Sequence, residues 1–228
     1  MQRLDDQGTL SRPAPSTILT DTRVVAVLRA GHASEYAPII EALQRGGVLS
    51  IELTLSTPGV WDELPRLQEG FGNALEIGIG TVTTAAEAET ALDLGAAYVV
   101  TPITVPDVIA ACVRRGIPVY PGGLTPTELH TGWNLGATAV KIFPASTVGA
   151  GYVSQLRGPF PDIQVIPSGG VDIDDVPDWI TAGALAVSLG GPLLRDAFKG
   201  GDLQELTARA RRVRDLVDQT TNQPGGAR

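Results

Sequence analysis

Lys141 lies in TAVKIFPAS (residues 138–146), flanked by Val140 and Ile142 in a run that reads as a buried strand. Glu52 lies in LSIELTL (residues 49–55), between Ile51 and Leu53. Neither an ammonium nor a carboxylate leaves water cheaply unless it is paired or neutral, so both positions need a reason. The only other lysine is Lys199, while fifteen arginines supply the remaining basic charge. An amine beside a carboxylate in an apolar setting permits one specific chemistry. Desolvation disfavours an ammonium, and a neutral amine attacks a ketone to form a Schiff base. The iminium then acts as an electron sink for breaking the adjacent carbon–carbon bond, and the carboxylate moves protons on and off the carbinolamine, the substrate hydroxyl and the enamine carbon. The alternative is a structural ion pair inside the fold, which gains little net stability over apolar packing.

A second signal concerns anions. Two strand-like runs end in Ser168-Gly169-Gly170 and in Gly190-Gly191, the latter just before Pro192. Glycine lets backbone N–H groups approach an anion closely, and a helix start after such a turn favours negative charge. The same glycines could merely form tight turns.

The elements that must position these residues form a regular series. Eight β-rich runs, RVVAVLRA, LSIELTL, LEIGIG, AAYVVTP, IPVYPGG, ATAVKIFP, IQVIPSGG and ALAVSLGG, are each followed by a segment with helical periodicity. Helix starts are expected at Ser34, Thr84, Thr125 and Asp174, with Thr125 and Glu128 forming a capping box. Helix stops are expected at Gly46, Gly95, Gly116, Gly136 and Gly183. Eight such units predict an α/β fold, a single (β/α)8 TIM barrel over residues 19–219, with flexible segments at 1–18 and 220–228. A doubly wound open sheet is the competitor, but no GxGxxG opens the first helix, and GIGTV is too short to be a dinucleotide site.

In such a barrel the site lies at the C-terminal strand ends, and the period of two decides which side chains face inward. Ser50, Glu52 and Thr54 share one face, opposite Leu49, Ile51, Leu53 and Leu55. Val25, Val27 and Arg29 share another face, as do Ala139, Lys141 and Phe143. Arg29, Glu52 and Lys141 therefore converge from the first, second and sixth runs.

Composition narrows the partners. A net charge of -8 argues against nucleic acid or an anionic membrane, although a locally positive pocket for an anionic small molecule remains compatible with it. No window reaches the roughly 18 apolar residues of a membrane span, and no signal peptide is evident. The single Cys112 excludes an internal disulfide or a cysteine-based metal cluster and suits the cytoplasm; it reads as a small apolar residue. His32 and His130 lack metal-like partners, Trp61, Trp133 and Trp179 read as packing, and the arginines of LTARARRVRDLVDQ alternate with acids as on a solvated helix face. No metal site is expected.

The blocks VVAVLRA, GGVLSIELTLSTPG, IGIGTVTT, YVVTP, IPVYPGGLTPTEL, VKIFPAS, GPFPDIQVIPSGGV and LAVSLGGPL, in this order from Val24 to Leu194, resemble the 2-keto-3-deoxy-6-phosphogluconate and 4-hydroxy-2-oxoglutarate aldolase family. These are class I aldolases that release pyruvate. The resemblance implies that Lys141 forms the Schiff base and Glu52 is the general acid/base, with Thr81 and Pro102 lining the pyruvyl pocket. It further implies that Arg29 binds the substrate carboxylate or another anionic group and that Ser168, Gly169, Gly170, Gly190 and Gly191 cradle a phosphate. Gly122, Gly123, Ile103 and Phe143 are expected to border the pocket. A homotrimer with no cofactor is implied. Two departures stand out. Some members have an arginine in a TLRT stretch where this chain has Ser56, and TGG is more usual where this chain has Ser168-Gly169-Gly170. The implied substrate is a keto-deoxy sugar acid, 2-keto-3-deoxy-6-phosphogluconate first, its galactonate epimer or 4-hydroxy-2-oxoglutarate as alternatives. A barrel that binds a sugar phosphate without turnover is the rival from another class, and a phosphate-binding isomerase or synthase would need no Lys141.

Overall fold

The structure, a computed structural model, describes residues 12–222. Its strands are β1 (Val24–Leu28), β2 (Ser50–Thr54), β3 (Glu76–Gly80), β4 (Val99–Val100), β5 (Val119–Tyr120), β6 (Gly122–Gly123), β7 (Val140–Ile142), β8 (Val165–Pro167) and β9 (Val187–Leu189). All pair in parallel, in the orders β5-β4-β3-β2-β1-β9 and β6-β7-β8. The two sheets close on each other at two seams. At one, β5 and β6 are halves of a single run split at Pro121, which has no N–H to give a ladder but whose carbonyl still accepts from Lys141 N at 2.8 Å. At the other, Ser168 bridges Ser188, and Leu185 N donates to Val165 O at 2.9 Å. The expected eight-stave barrel results.

Among the described residues the α-helices are α1 (Thr17–Thr22), α2 (Tyr36–Arg45), α3 (Val60–Phe71), α4 (Ala85–Asp93), α5 (Pro106–Arg115), α6 (Pro126–Asn134), α7 (Gly151–Arg157), α8 (Val176–Thr181), α9 (Gly191–Leu194) and α10 (Leu203–Thr221). Eight of them, α2 to α8 and α10, are the helical halves of the units, while α1 precedes the barrel and the four-residue α9 follows β9.

Two apolar clusters show the alternation of the strands. Val24, Ala26, Leu28, Ile51, Leu53, Val140 and Ile142 pack outward against the helices. Val25, Tyr98, Tyr120, Ala139 and Ile166 fill the barrel interior together with Leu19 of α1, which is fully buried. Burial of this kind at a sheet buried on both faces is what removes the most apolar surface from water.

Several boundaries differ from the sequence expectation. Part of the segment expected to be flexible, residues 12–18, is structured: Ser16 caps α1, and the Arg12 guanidinium lies 3.5 Å from the Trp133 ring centroid. Residues 1–11 and 223–228 lie outside the described residues, and α10 runs to Thr221, past the expected boundary at 219. Thr84 and Thr125 cap α4 and α6 with full capping boxes. Ser34 and Asp174 do not cap. A 3-10 turn precedes each of those helices, so the caps fall two residues earlier, on His32 and Asp172. Gly95, Gly116, Gly136 and Gly183 take positive φ as helix stops, but after α2 it is Gly47 rather than Gly46 that does so.

Candidate active site

A cavity of about 500 Å³ opens at the C-terminal ends of the strands. Its floor is made by Glu52 and Thr54 of β2 and Lys141 of β7, and both charged groups are buried, with only 2% and 7% of their surface exposed. Lys141 Nζ lies 3.9 Å from Glu52 Oε1 and 5.3 Å from the centre of the Phe143 ring, within cation–π range. The two charges come from staves on opposite sides of the barrel, so only closure brings them together.

Space for the Glu52 carboxylate comes from β3. Gly80 pairs with Thr54 in the β2–β3 ladder, and a Cβ there would lie 1.9 Å from Glu52 Oε1. The next residue, Thr81, lines the cavity with φ +64°, a left-handed conformation that a β-branched residue rarely adopts. Such strain costs about 1–3 kcal/mol and persists where surrounding contacts impose it.

Arg29 reaches the cavity from the end of β1, where the backbone is held on both sides of it. Leu28 O accepts from Thr54 Oγ1 at 3.1 Å, and Ala30 N donates to Thr57 Oγ1 at 3.1 Å. Ser56, at the position where some resembling proteins carry arginine, is exposed, with its hydroxyl 3.1 Å from Thr54 Oγ1.

On the far side, Ser168, Gly169 and Gly170 follow β8, and Gly190 and Gly191 follow β9. Gly169 and Gly170 take φ +82° and +76°, and a Cβ on Gly169 would lie 2.8 Å from the Phe143 ring. Ser168 Oγ donates to Ser188 Oγ at 3.3 Å, tying the two turns together.

Pro102 also lines the cavity, but three expected neighbours do not. Gly122 is buried beside it instead, where a Cβ would lie 2.4 Å from Pro102 O, so its glycine serves the close approach of two staves. Gly123 packs against Glu128, and Ile103 is exposed. Conversely, Val27, Thr54, Pro192, Leu194, Arg195, Phe198 and Lys199 line the cavity although they were not singled out for it. Strand parity pointed to Val27 and Thr54. Arg195, Phe198 and Lys199 follow the last glycine pair in a stretch without periodicity, and only their closeness to that pair could have flagged them.

Charge in the cavity is lopsided. Among the described residues Glu52 is the one acid lining it, against Arg29, Lys141, Arg195 and Lys199. In a chain of net charge -8 this is a local cationic site suited to an anionic ligand.

Other titratable groups stay apart from it. His32 caps a turn, accepting from Ser34 N at 3.2 Å, and His130 stacks on Phe160 with ring centres 4.1 Å apart. Burial pushes the Cys112 thiol up to about 12, the state of an inert core residue. At the opposite, N-terminal end of the barrel, burial raises the Glu76 carboxyl above the usual range, and the Ser16 and Ser50 hydroxyls offset part of this. Glu76 Oε1 has no hydrogen-bond partner among the described residues. No group of three or more described His, Cys, Asp or Glu residues is placed to hold a metal ion, and no described helix is long and apolar enough to cross a membrane.

Comparison with known proteins gives the same region a family. The profile of the family described as "KDPG and KHG aldolase" matches residues 16–209. The chain is 32% identical to the 2-dehydro-3-deoxy-6-phosphogalactonate aldolase of Escherichia coli over 190 residues, 83% of this chain and 91% of that protein. It is 28% identical to the 2-dehydro-3-deoxy-phosphogluconate aldolase of Treponema pallidum over 202 residues, 87% of this chain and 95% of that one. It superposes on the KDPG aldolase of Legionella pneumophila, captured with pyruvate as a covalent carbinolamine intermediate, with a TM-score of 0.79 and 26% identity, covering 86% of this chain and 96% of the other.

Proposed function

The chain belongs to the KDPG and KHG aldolase family, and from that premise we propose that it cleaves a 2-keto-3-deoxy sugar acid through a Schiff base on Lys141, with 2-keto-3-deoxy-6-phosphogluconate as the first candidate and pyruvate and glyceraldehyde 3-phosphate as products. The observation that carries the reading is the buried contact of 3.9 Å between Lys141 Nζ and Glu52 Oε1 inside a cavity whose other charged lining residues, Arg29, Arg195 and Lys199, are all cations.

The geometry supports the following course. Lys141 Nζ adds to the C2 ketone, and the carbinolamine loses water to give an iminium. Glu52 takes the proton of the C4 hydroxyl as the C3–C4 bond breaks; the bonding pair moves to the iminium as an enamine, and the aldehyde leaves. The enamine takes a proton at C3, from Glu52 as general acid, and water hydrolyses the resulting iminium to release pyruvate and the free amine. Arg29 holds the carboxylate beside C2, while Thr81, Pro102 and Phe143 border the pyruvyl half. The turns at Ser168–Gly170 and Gly190–Gly191 receive the distal end.

Substrates with an anion at each end fit a cavity with Arg29 on one stave and Arg195 and Lys199 beyond the last. The galactonate epimer stands as the alternative named in the Escherichia coli relative, since epimers differ in a hydroxyl whose partners are not fixed by the charged groups. We take the working form to be a homotrimer, the state implied by the family resemblance, in the cytoplasm, which the single Cys112 suits. Pyruvate release from the two phosphorylated epimers and from 4-hydroxy-2-oxoglutarate tests the reading. Turnover of a phosphorylated acid, with kcat/KM above that for 4-hydroxy-2-oxoglutarate, is the expected result. No pyruvate from any of the three would overturn it.

A further inference from the structure

We propose that Arg195 and Lys199 are the specificity-determining residues for the distal anion, so that selection of a phosphorylated chain end resides in these two side chains rather than in the glycine turns alone. The inference rests on the aldolase reading and deepens it.

Beyond the glycine turns themselves, the backbone adds little at this end of the site. Helix α9 is only four residues long, too short to focus appreciable positive potential at its start. Its second residue is Pro192, which has no N–H to offer. The N–H groups of the next three residues are already committed: Leu193 N and Leu194 N to Gly190 O at 3.1 and 3.0 Å, and Arg195 N to Gly191 O at 2.7 Å. That leaves a dianion the amides of the glycine turns, which carry no full charge, so ionic partners must come from side chains.

Two cations are available for that role. Arg195 and Lys199 both line the cavity, and neither makes an ion pair with an acid among the described residues, whereas Arg209, Arg212 and Arg214 on the neighbouring α10 are all paired. The acid nearest in sequence, Asp196, is turned away: it does not line the cavity, and its Oδ1 would lie 2.5 Å from a Cβ on Gly201. The backbone supports this arrangement. Arg195 adopts φ +48°, an uncommon conformation for a residue with a Cβ, and Lys199 is the last residue of a 3-10 turn (Ala197–Lys199) closed by Gly200 at φ +83°. Arg195 presents a planar fork of donors suited to phosphate oxygens, and Lys199 adds a point charge.

The test uses the full chain and two readouts. Titration with inorganic phosphate, followed by calorimetry, should show binding to the unsubstituted protein that weakens by about 10- to 100-fold in the Arg195→Ala/Lys199→Ala double variant. The ratio of kcat/KM for 2-keto-3-deoxy-6-phosphogluconate to that for its dephosphorylated counterpart should fall by a similar factor, mostly through KM, and Arg195→Lys should restore part of it. Phosphate binding that survives in the double variant, or an equal loss on both substrates, would overturn the proposal. Failure of the unsubstituted protein to cleave either acid would strike the aldolase reading instead, while the phosphate titration would still decide the role of the two cations.

Discussion

Lys141 could be a nucleophile or half of a structural ion pair, and the two roles respond differently to a change that keeps the charge. Lys141→Arg retains a cation opposite Glu52, but a guanidinium stays protonated and cannot attack a ketone. Loss of all pyruvate release with the melting temperature nearly kept is expected; activity surviving in this variant would mean that the amine is not the nucleophile. Glu52→Gln keeps the size of the side chain and removes the base, so kcat should fall by about 10²- to 10⁴-fold in a pyruvate-release assay. At this scale the sequence was informative for a plain reason. Charged residues flanked on both sides by apolar ones violate the burial pattern, and a violation is visible in a single chain. Arg195 and Lys199 break no pattern, because they occupy an irregular stretch after β9, and only the folded arrangement brings them to the cavity.

Among the elements, β3 does the most to arrange the interior. Its Gly80 leaves the volume that the Glu52 carboxylate fills, so Gly80→Ala should displace that carboxylate. Overpacking of this kind costs about 1–3 kcal/mol, and a misplaced general base lowers kcat by about 100-fold; denaturant unfolding and turnover measure the two effects separately. Glu76, at the other end of β3, gives a pH signature. Its folded-state value is raised by burial, so the stability present below the ordinary carboxylate range is lost as pH rises through the raised folded value. Glu76→Gln has no such titration. Its melting temperature minus that of the unsubstituted protein should therefore grow as pH is raised from about 4 to about 7, and a flat difference would show that Glu76 ionises alike in both states. Strand parity was legible here because the period is fixed at two: Ile51 and Leu53 pack outward, while Ser50, Glu52 and Thr54 face the interior. The caps at Ser34 and Asp174 were misplaced because a 3-10 turn leaves no separate periodic signal.

For the molecule as a whole, eight alternating units sufficed to anticipate a closed barrel, since parallel strands with intervening helices bury both faces only in a few ways. What the units could not show is how the ends meet: the split at Pro121, the Ser168–Ser188 seam and the seating of Leu19 of α1 in the barrel interior depend on contacts between residues distant in sequence. Closure is also what brings Lys141 and Glu52 together, because they belong to different sheets of the barrel. The proposed reaction requires this enclosed amine to form a Schiff base with the keto acid. Incubation with pyruvate and borohydride, followed by peptide mass spectrometry, tests it most directly. One reduced pyruvyl group per chain is expected, on the peptide containing Lys141 and absent in Lys141→Arg. An unmodified Lys141, or modification confined to Lys199, would contradict it.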